Sequence, residues 1–126
     1  MRTAPWCSPK TASWTIPTST SPDGAFVYVA VSGGIEVKII RTSDNTVVGS
    51  VAVGQSPYGV TVLPGGAFVY VANHGANSVS IVRTSDRKVV KTIAVEAGPT
   101  AVRASADGRF VYVTSGAAGS VSVIGY

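Results

Sequence analysis

The sequence is short of most residues that carry chemistry or build helices. It holds one cysteine, Cys7, one histidine, His74, one methionine and only two glutamates, Glu36 and Glu96. A single thiol excludes an intramolecular disulfide framework and every metal site that needs several cysteines. No stretch approaches the ~18 consecutive apolar residues of a membrane-spanning helix. The start has Arg2 but no apolar run of seven or more after it, so no secretory signal is visible and the compartment is left open. Charge is sparse as well, at 13% of residues, and no Lys/Arg block accompanies the net +4 and pI near 9.5. Lys38, Arg41, Arg83, Arg87, Lys88, Lys91, Arg103 and Arg109 are scattered, without the aromatic-basic interleaving of single-strand binders. They read as a solvated basic rim, and nucleic acid is not expected as a partner.

What is present is valine, glycine and a period. Apolar residues make up 45% of the chain and glycines number 14, the composition of a turn-rich β protein. The stretch Gly66-Ala67-Phe68-Val69-Tyr70-Val71-Ala72-Asn73 has near copies at 24–31 and 108–115, and Phe26, Phe68 and Phe110 fix the spacing at 42. Residues 21–53 match 63–95 without insertion at 19 of 33 positions, including Arg-Thr-Ser-Asp at 41–44 and 83–86. A fixed period of about 40 residues marks one supersecondary unit that was copied intact.

Each unit reads as four short strands joined by turns. The pattern predicts strands near 25–31, 35–41, 47–53, 59–63, 68–73, 78–83, 89–95, 100–104, 109–115 and 120–124, with no helix anywhere in 59–95. In the second strand Phe68, Tyr70 and Ala72 face one way and Val69 and Val71 the other, so both faces are apolar. A sheet covered on both sides in a chain without helices must be covered by other sheets. A two-sheet sandwich would leave one face of each strand wet, which Phe-Val-Tyr-Val contradicts. The expected architecture is therefore all-β, a partial propeller of about three blades, each a four-stranded antiparallel meander. Its predicted core is Phe26, Tyr28, Val37, Ile39, Val60, Phe68, Tyr70, Val79, Ile81, Val102, Phe110, Tyr112 and Val121.

Residues 1–20 differ from the rest. Pro5, Pro9 and Pro17 argue against a central strand, so this part reads as an irregular leader with Ile16–Thr20 at most a frayed strand. Repeats occupy 21–126, with unit one at about 12–53, unit two at 54–95 and unit three, truncated, at 96–126. Cys7 sits in the leader and is expected to be dispensable.

Phe68-Val69-Tyr70-Val71-Ala72-Asn73 with Asn77-Ser78-Val79-Ser80-Ile81-Val82, and Val111-Tyr112-Val113-Thr114-Ser115, resemble the YVTN-type β-propeller repeats. Ser21-Pro22-Asp23-Gly24 and Ser56-Pro57-Tyr58-Gly59-Val60 share the likeness, which covers about 21–126. It implies a propeller fold. The family's surface-layer and periplasmic binding proteins, lactonase-like hydrolases and domains beside redox cofactors leave the activity open, and an extracytoplasmic location rests on this likeness alone. The first unit departs from the pattern at Val31-Ser32-Gly33-Gly34, and the third stops before its Arg-Thr-Ser-Asp turn.

Few residues invite a chemical role. His74 stands at a loop tip beside Asn73 and Asn77, where the other units have Ser32 and Gly116, so no ring of histidines exists. Asp23, Asp44, Asp86 and Asp107 each occupy a turn, where a carboxylate bonds nearby N–H groups. Pairs of Arg41 with Asp44 and Arg83 with Asp86 are expected to close hairpins. No Gly-x-Ser-x-Gly elbow is present, and no helix follows the glycine-rich loops to cradle a phosphate. No catalytic residue, metal or cofactor is expected. Propellers bind where loops converge at an end of the channel, which makes Tyr58, Asn73, His74 and Asn77 the binding candidates. The expected function is a non-catalytic binding scaffold, as a fragment of a larger YVTN-like propeller protein; the alternative is part of a propeller enzyme, either a lactonase-like hydrolase or a cofactor-associated oxidoreductase subunit. Partners would be a protein or small molecule at the channel mouth. The arc's end blades should also expose apolar faces, at Phe26 to Val29 or near 111 and 113, to be covered by the remaining blades of a longer chain or by a second copy in a six-bladed ring.

Overall fold

Alternation and turn chemistry produce eleven strands among the described residues. The computed structural model describes residues 18–31, 33–116 and 118–125. Strands β1 (Thr18–Thr20), β2 (Phe26–Ala30), β3 (Glu36–Arg41) and β4 (Thr46–Ala52) form the first sheet. The second comprises β5 (Pro57–Val62), β6 (Phe68–Asn73), β7 (Ser78–Arg83) and β8 (Lys88–Ala94). The third comprises β9 (Pro99–Ala104), β10 (Phe110–Ser115) and β11 (Ser120–Gly125). All ladders are antiparallel between sequence neighbours, so each sheet is a meander and a blade of a β-propeller. Cys7 and the rest of 1–17 lie outside the described residues.

The repeat spacing reappears as repeated bonds. Gly24, Gly66 and Gly108 close the first turn of each blade at φ near +75°, a conformation open to glycine, and their N–H groups donate to Ser21, Leu63 and Ser105. The Arg-Thr-Ser-Asp threonines reach across, with Thr42 Oγ1 donating to the Gly24 carbonyl at 2.6 Å and Thr84 Oγ1 to that of Gly66 at 2.7 Å. Blades join through their first strands: Val62 N–H donates to Ser19 Oγ at 3.1 Å, and 42 residues on Ala104 N–H donates to Thr61 Oγ1 at 3.4 Å. Gly59 lets β5 approach β9, because a Cβ there would stand 3.1 Å from the backbone of residues 100–102.

Two apolar layers fill the joints. Tyr28, Ala30, Val37, Ile39 and Val51 of the first blade meet Val60, Val69, Val71 and Val82 of the second. On its opposite face the second blade sets Leu63, Tyr70, Ala72, Val79 and Ile81 against Val102, Val111 and Val113 of the third. Burying such side chains contributes roughly 1.5–3 kcal/mol each, which makes the middle blade the most tightly held.

Three expectations need correction. Phe110, Tyr112 and Val121, predicted as core, are exposed, because they face away from the second blade and no described residue covers them. The uncovered positions are thus 110, 112, 121 and 123, while Val111 and Val113 are fully buried; at the other end Tyr28 and Val29 are buried too. Pro57 and Pro99 begin β5 and β9, within two residues of the predicted starts, and both are fully buried; the first residue of a strand needs no ladder N–H, so proline is tolerated there. Finally, 59–95 is not helix-free: His74–Ala76 forms a single 3-10 turn where an open loop was expected.

Candidate functional site

Turns alternate between the two ends of a meander, so the β2–β3 loops and the interblade linkers share one end. There the His74–Ala76 turn lies on the linker from the first blade. His74 N–H donates to the Ser56 carbonyl and Gly75 N–H to that of Gln55, both at 3.0 Å. Ser56 takes a left-handed conformation (φ 49°), and its own N–H donates to Gly34 in the first blade. Fixed from both sides, the imidazole of His74 stacks on the ring of Tyr58, the second residue of β5, with centroids 4.4 Å apart and planes at 17°. Tyr58 remains 39% exposed, so the stack offers an accessible aromatic surface beside the first strand.

The other two predicted residues play different parts. Asn77 ends the 3-10 turn in the left-handed region (φ 51°), and its Oδ1 accepts the Gly98 N–H at 3.0 Å, tying this loop to the linker that enters the third blade. Asn73 is a correction: its side chain is fully buried and reaches no solvent. Its Nδ2 donates to Ser80 Oγ at 2.8 Å and Ser78 Oγ at 3.2 Å, while Oδ1 has no hydrogen-bond partner among the described residues. Gly54 makes room for it, since a Cβ there would lie 2.7 Å from the Asn73 amide carbon. The structure therefore brings Tyr58 and His74 together, sets Asn77 behind them as a brace and seals Asn73 inside the blade.

The aspartates work in turns. Ser21 Oγ and Ser105 Oγ donate to Asp23 and Asp107 at 2.6 Å, and these bonds, with the backbone donors at Ala25 and Arg109, hold both carboxyls below their usual range. Asp44 and Asp86 accept from Arg41 and Arg83, each Nε at 3.2 Å, with the same downward effect. Among the described residues no group of three His, Cys, Asp or Glu could hold a metal ion, and no helix is long and apolar enough to cross a membrane.

The opposite end holds a feature that no sequence motif marks, a cleft of about 280 Å³ between the first and second blades. The signal was a substitution inside the repeated turn: Arg87 stands where the first unit has Asn45.

No protein-family model matches the sequence, and no curated protein matches it either. Among solved structures, the chain is similar to hydrazine synthase of Kuenenia stuttgartiensis, a protein that contains a β-propeller, with 32% identity and a TM-score of 0.80. The likeness covers 86% of this chain and 31% of that one, so the chain spans about a third of the length of the structure it matches.

Proposed function

We propose that this propeller segment is a non-catalytic binding scaffold, with its contact surface at the end where loops and linkers meet. The stacked Tyr58 and His74 carry this reading. An aromatic pair held rigid by backbone bonds to Ser56 and Gln55 loses little freedom when a ligand lands on it, which favours binding. Asn77 acts as a brace that transmits the loop's position to the third blade. Among the described residues no carboxylate lies beside His74 to orient it as a base, and the stack is suited to contact with a flat or apolar surface.

The finer identity that fits is a YVTN-like propeller, with 1–20 as a leader whose Thr18–Thr20 supplies the first strand of the first blade and 21–126 as its repeats. The open face of the third blade takes either further blades or a second copy. A second reading is favoured by the likeness to hydrazine synthase: the segment would then belong to a propeller enzyme and support a centre built elsewhere. A fragment screen read by amide NMR shifts tests the scaffold. Saturable shifts at 55–59 and 74–77, lost in Tyr58→Ala and His74→Ala, are expected. Turnover of phenyl acetate or δ-valerolactone by the purified chain, abolished in His74→Ala, would replace the scaffold with an enzyme.

A further inference from the structure

The interblade cleft at the turn end is lined by Asp23, Phe26 and Tyr28 from the first blade and by Gly66, Thr84 and Arg87 from the second. We propose that it is a second binding site, for a small free α-amino acid taken as the zwitterion, with the carboxylate on Arg87 and Tyr28 and the ammonium on Asp23.

Arg87 is a fixed cation without a fixed anion. One Nη donates to the Val48 carbonyl across the joint at 3.3 Å, and the guanidinium carbon sits 5.6 Å from the Phe26 ring centroid. Gly49 leaves the space: a Cβ there would approach the guanidinium to 3.0 Å. Arg41 and Arg83 each hold an aspartate, whereas no carboxylate among the described residues pairs with Arg87. Its backbone is left-handed (φ 56°), a conformation that suits the Asn45 of the first unit better than an arginine. Packing across the joint therefore holds Arg87 in place and leaves the rest of its donor fork to the cleft.

Asp23 supplies the opposite charge. Its Oδ1 accepts from Ser21 and from the Ala25 N–H, which keeps the group ionised and aimed, yet it makes no ion pair with Arg87. Tyr28 also lines the cleft: burial pushes its phenol up, with Arg87 opposing and Asp23 adding, so at neutral pH it is an O–H donor. Two opposite charges that share one small cleft without meeting suit a ligand that carries both. At about 280 Å³ the cleft lies at the small end of ligand pockets, a size that matches a small amino acid. The site is not duplicated at the next joint, where Gly65 replaces Asp23. It is built entirely from two adjoining blades and does not depend on what covers the ends of the arc.

Amide NMR titration of the chain with L-alanine, acetate and ethylammonium tests the site. Saturable shifts at 21–28, 65–66 and 84–87 are expected with L-alanine, about tenfold weaker binding with acetate, and weaker still with ethylammonium. Asp23→Asn keeps the oxygen that Ser21 and Ala25 bond and removes only the charge, so it should fold and bind L-alanine no better than acetate. Arg87→Met should lose both. Equal affinity for L-alanine and acetate in the unaltered chain, no saturable shift at these residues, or an unchanged Asp23→Asn overturns the proposal, whatever happens at Tyr58 and His74 on the other end.

Discussion

The second and third blades place the same residue types in the same register and give them opposite fates. Tyr70 is 3% exposed and Tyr112, one repeat later, is 43%; Val79 is fully buried, and Val121 is 60% exposed. Strand pairing does not differ, since β6–β7 and β10–β11 have equivalent ladders. Only the neighbour does: the second blade has the third upon it, and the third has no described blade beyond. Alternating apolar residues therefore specify a face that can be buried, and the stacking decides whether it is. The largest test truncates both tyrosines. Tyr70→Ala should cost about 3–4 kcal/mol in urea unfolding, in the range of large-to-small core changes, while Tyr112→Ala should cost under about 1 kcal/mol. Equal losses would mean that the third blade's face is covered in solution.

The same two blades solve one packing problem in two ways. In the second, the buried Asn73 demands Gly54 beneath it; in the third, the positions one repeat on are Ser115 and Glu96, and Ser115 Oγ donates to the Glu96 carbonyl at 3.2 Å. A side chain at the linker position thus goes with a small residue in the strand. Gly54→Ala should destabilise by about 2 kcal/mol, as overpacking does, because the Asn73 side chain cannot retreat. Adding Asn73→Ser should recover more than half of that loss. A double-mutant cycle with no coupling would show that the clash is relieved by the linker backbone instead.

Much of this was legible in the sequence because the repeat is exact enough to be read as geometry. Ten predicted strands fall within two residues of those observed, since Gly24, Gly66 and Gly108 and the Arg-Thr-Ser-Asp turns fix where strands must end. Burial was legible only where a neighbour could be counted on, which is why Tyr28, Val79 and Ile81 were placed in the core rightly and Phe110 and Val121 wrongly. Of the candidate site, the loop was readable from spacing, but the Tyr58–His74 stack and the burial of Asn73 depend on how the linker folds over the 3-10 turn. The cleft around Arg87 joins residues 37 and more apart in sequence, and its one local trace is Arg87 in place of Asn45 within the repeated turn.

The exposed face of the third blade sharpens the comparison at smaller cost to stability. Phe110, Tyr112, Val121 and Val123 form one apolar surface bordered by Arg109, whose guanidinium lies 5.9 Å from the Phe110 ring centroid. A surface of this kind drives association. Val121→Lys with Val123→Lys should leave unfolding free energy within about 1 kcal/mol, since both sites already meet solvent. Light scattering should show that self-association of the parent chain is lost in the variant. A parent that is monomeric at high concentration would refute a second copy as the occupant of this face.

The smallest effect separates the first and second blades by acid. Asp44 and Asp86 both take the fork of an arginine three residues earlier, and that hydrogen bonding is the main cause that holds each carboxyl below its ordinary 3.8. Asp44 has a further donor, Thr46 Oγ1 at 2.8 Å, where the second blade has Lys88, which acts only through its charge. Because the folded values are depressed, the stabilisation is fully present above the unfolded value and is lost as pH falls below 3.8 through the folded ones. Both pairs are exposed, so the contribution is small and weakens with salt. Carboxyl NMR titration should find both midpoints under 3.8, with Asp86 protonating before Asp44. The melting temperatures of Asp44→Asn and Asp86→Asn should lie slightly below that of the parent at pH 6 and converge with it as the pH falls through that range. An Asp44 midpoint at or above that of Asp86 would show that the arginine fork alone sets both values and that the Thr46 hydroxyl adds nothing.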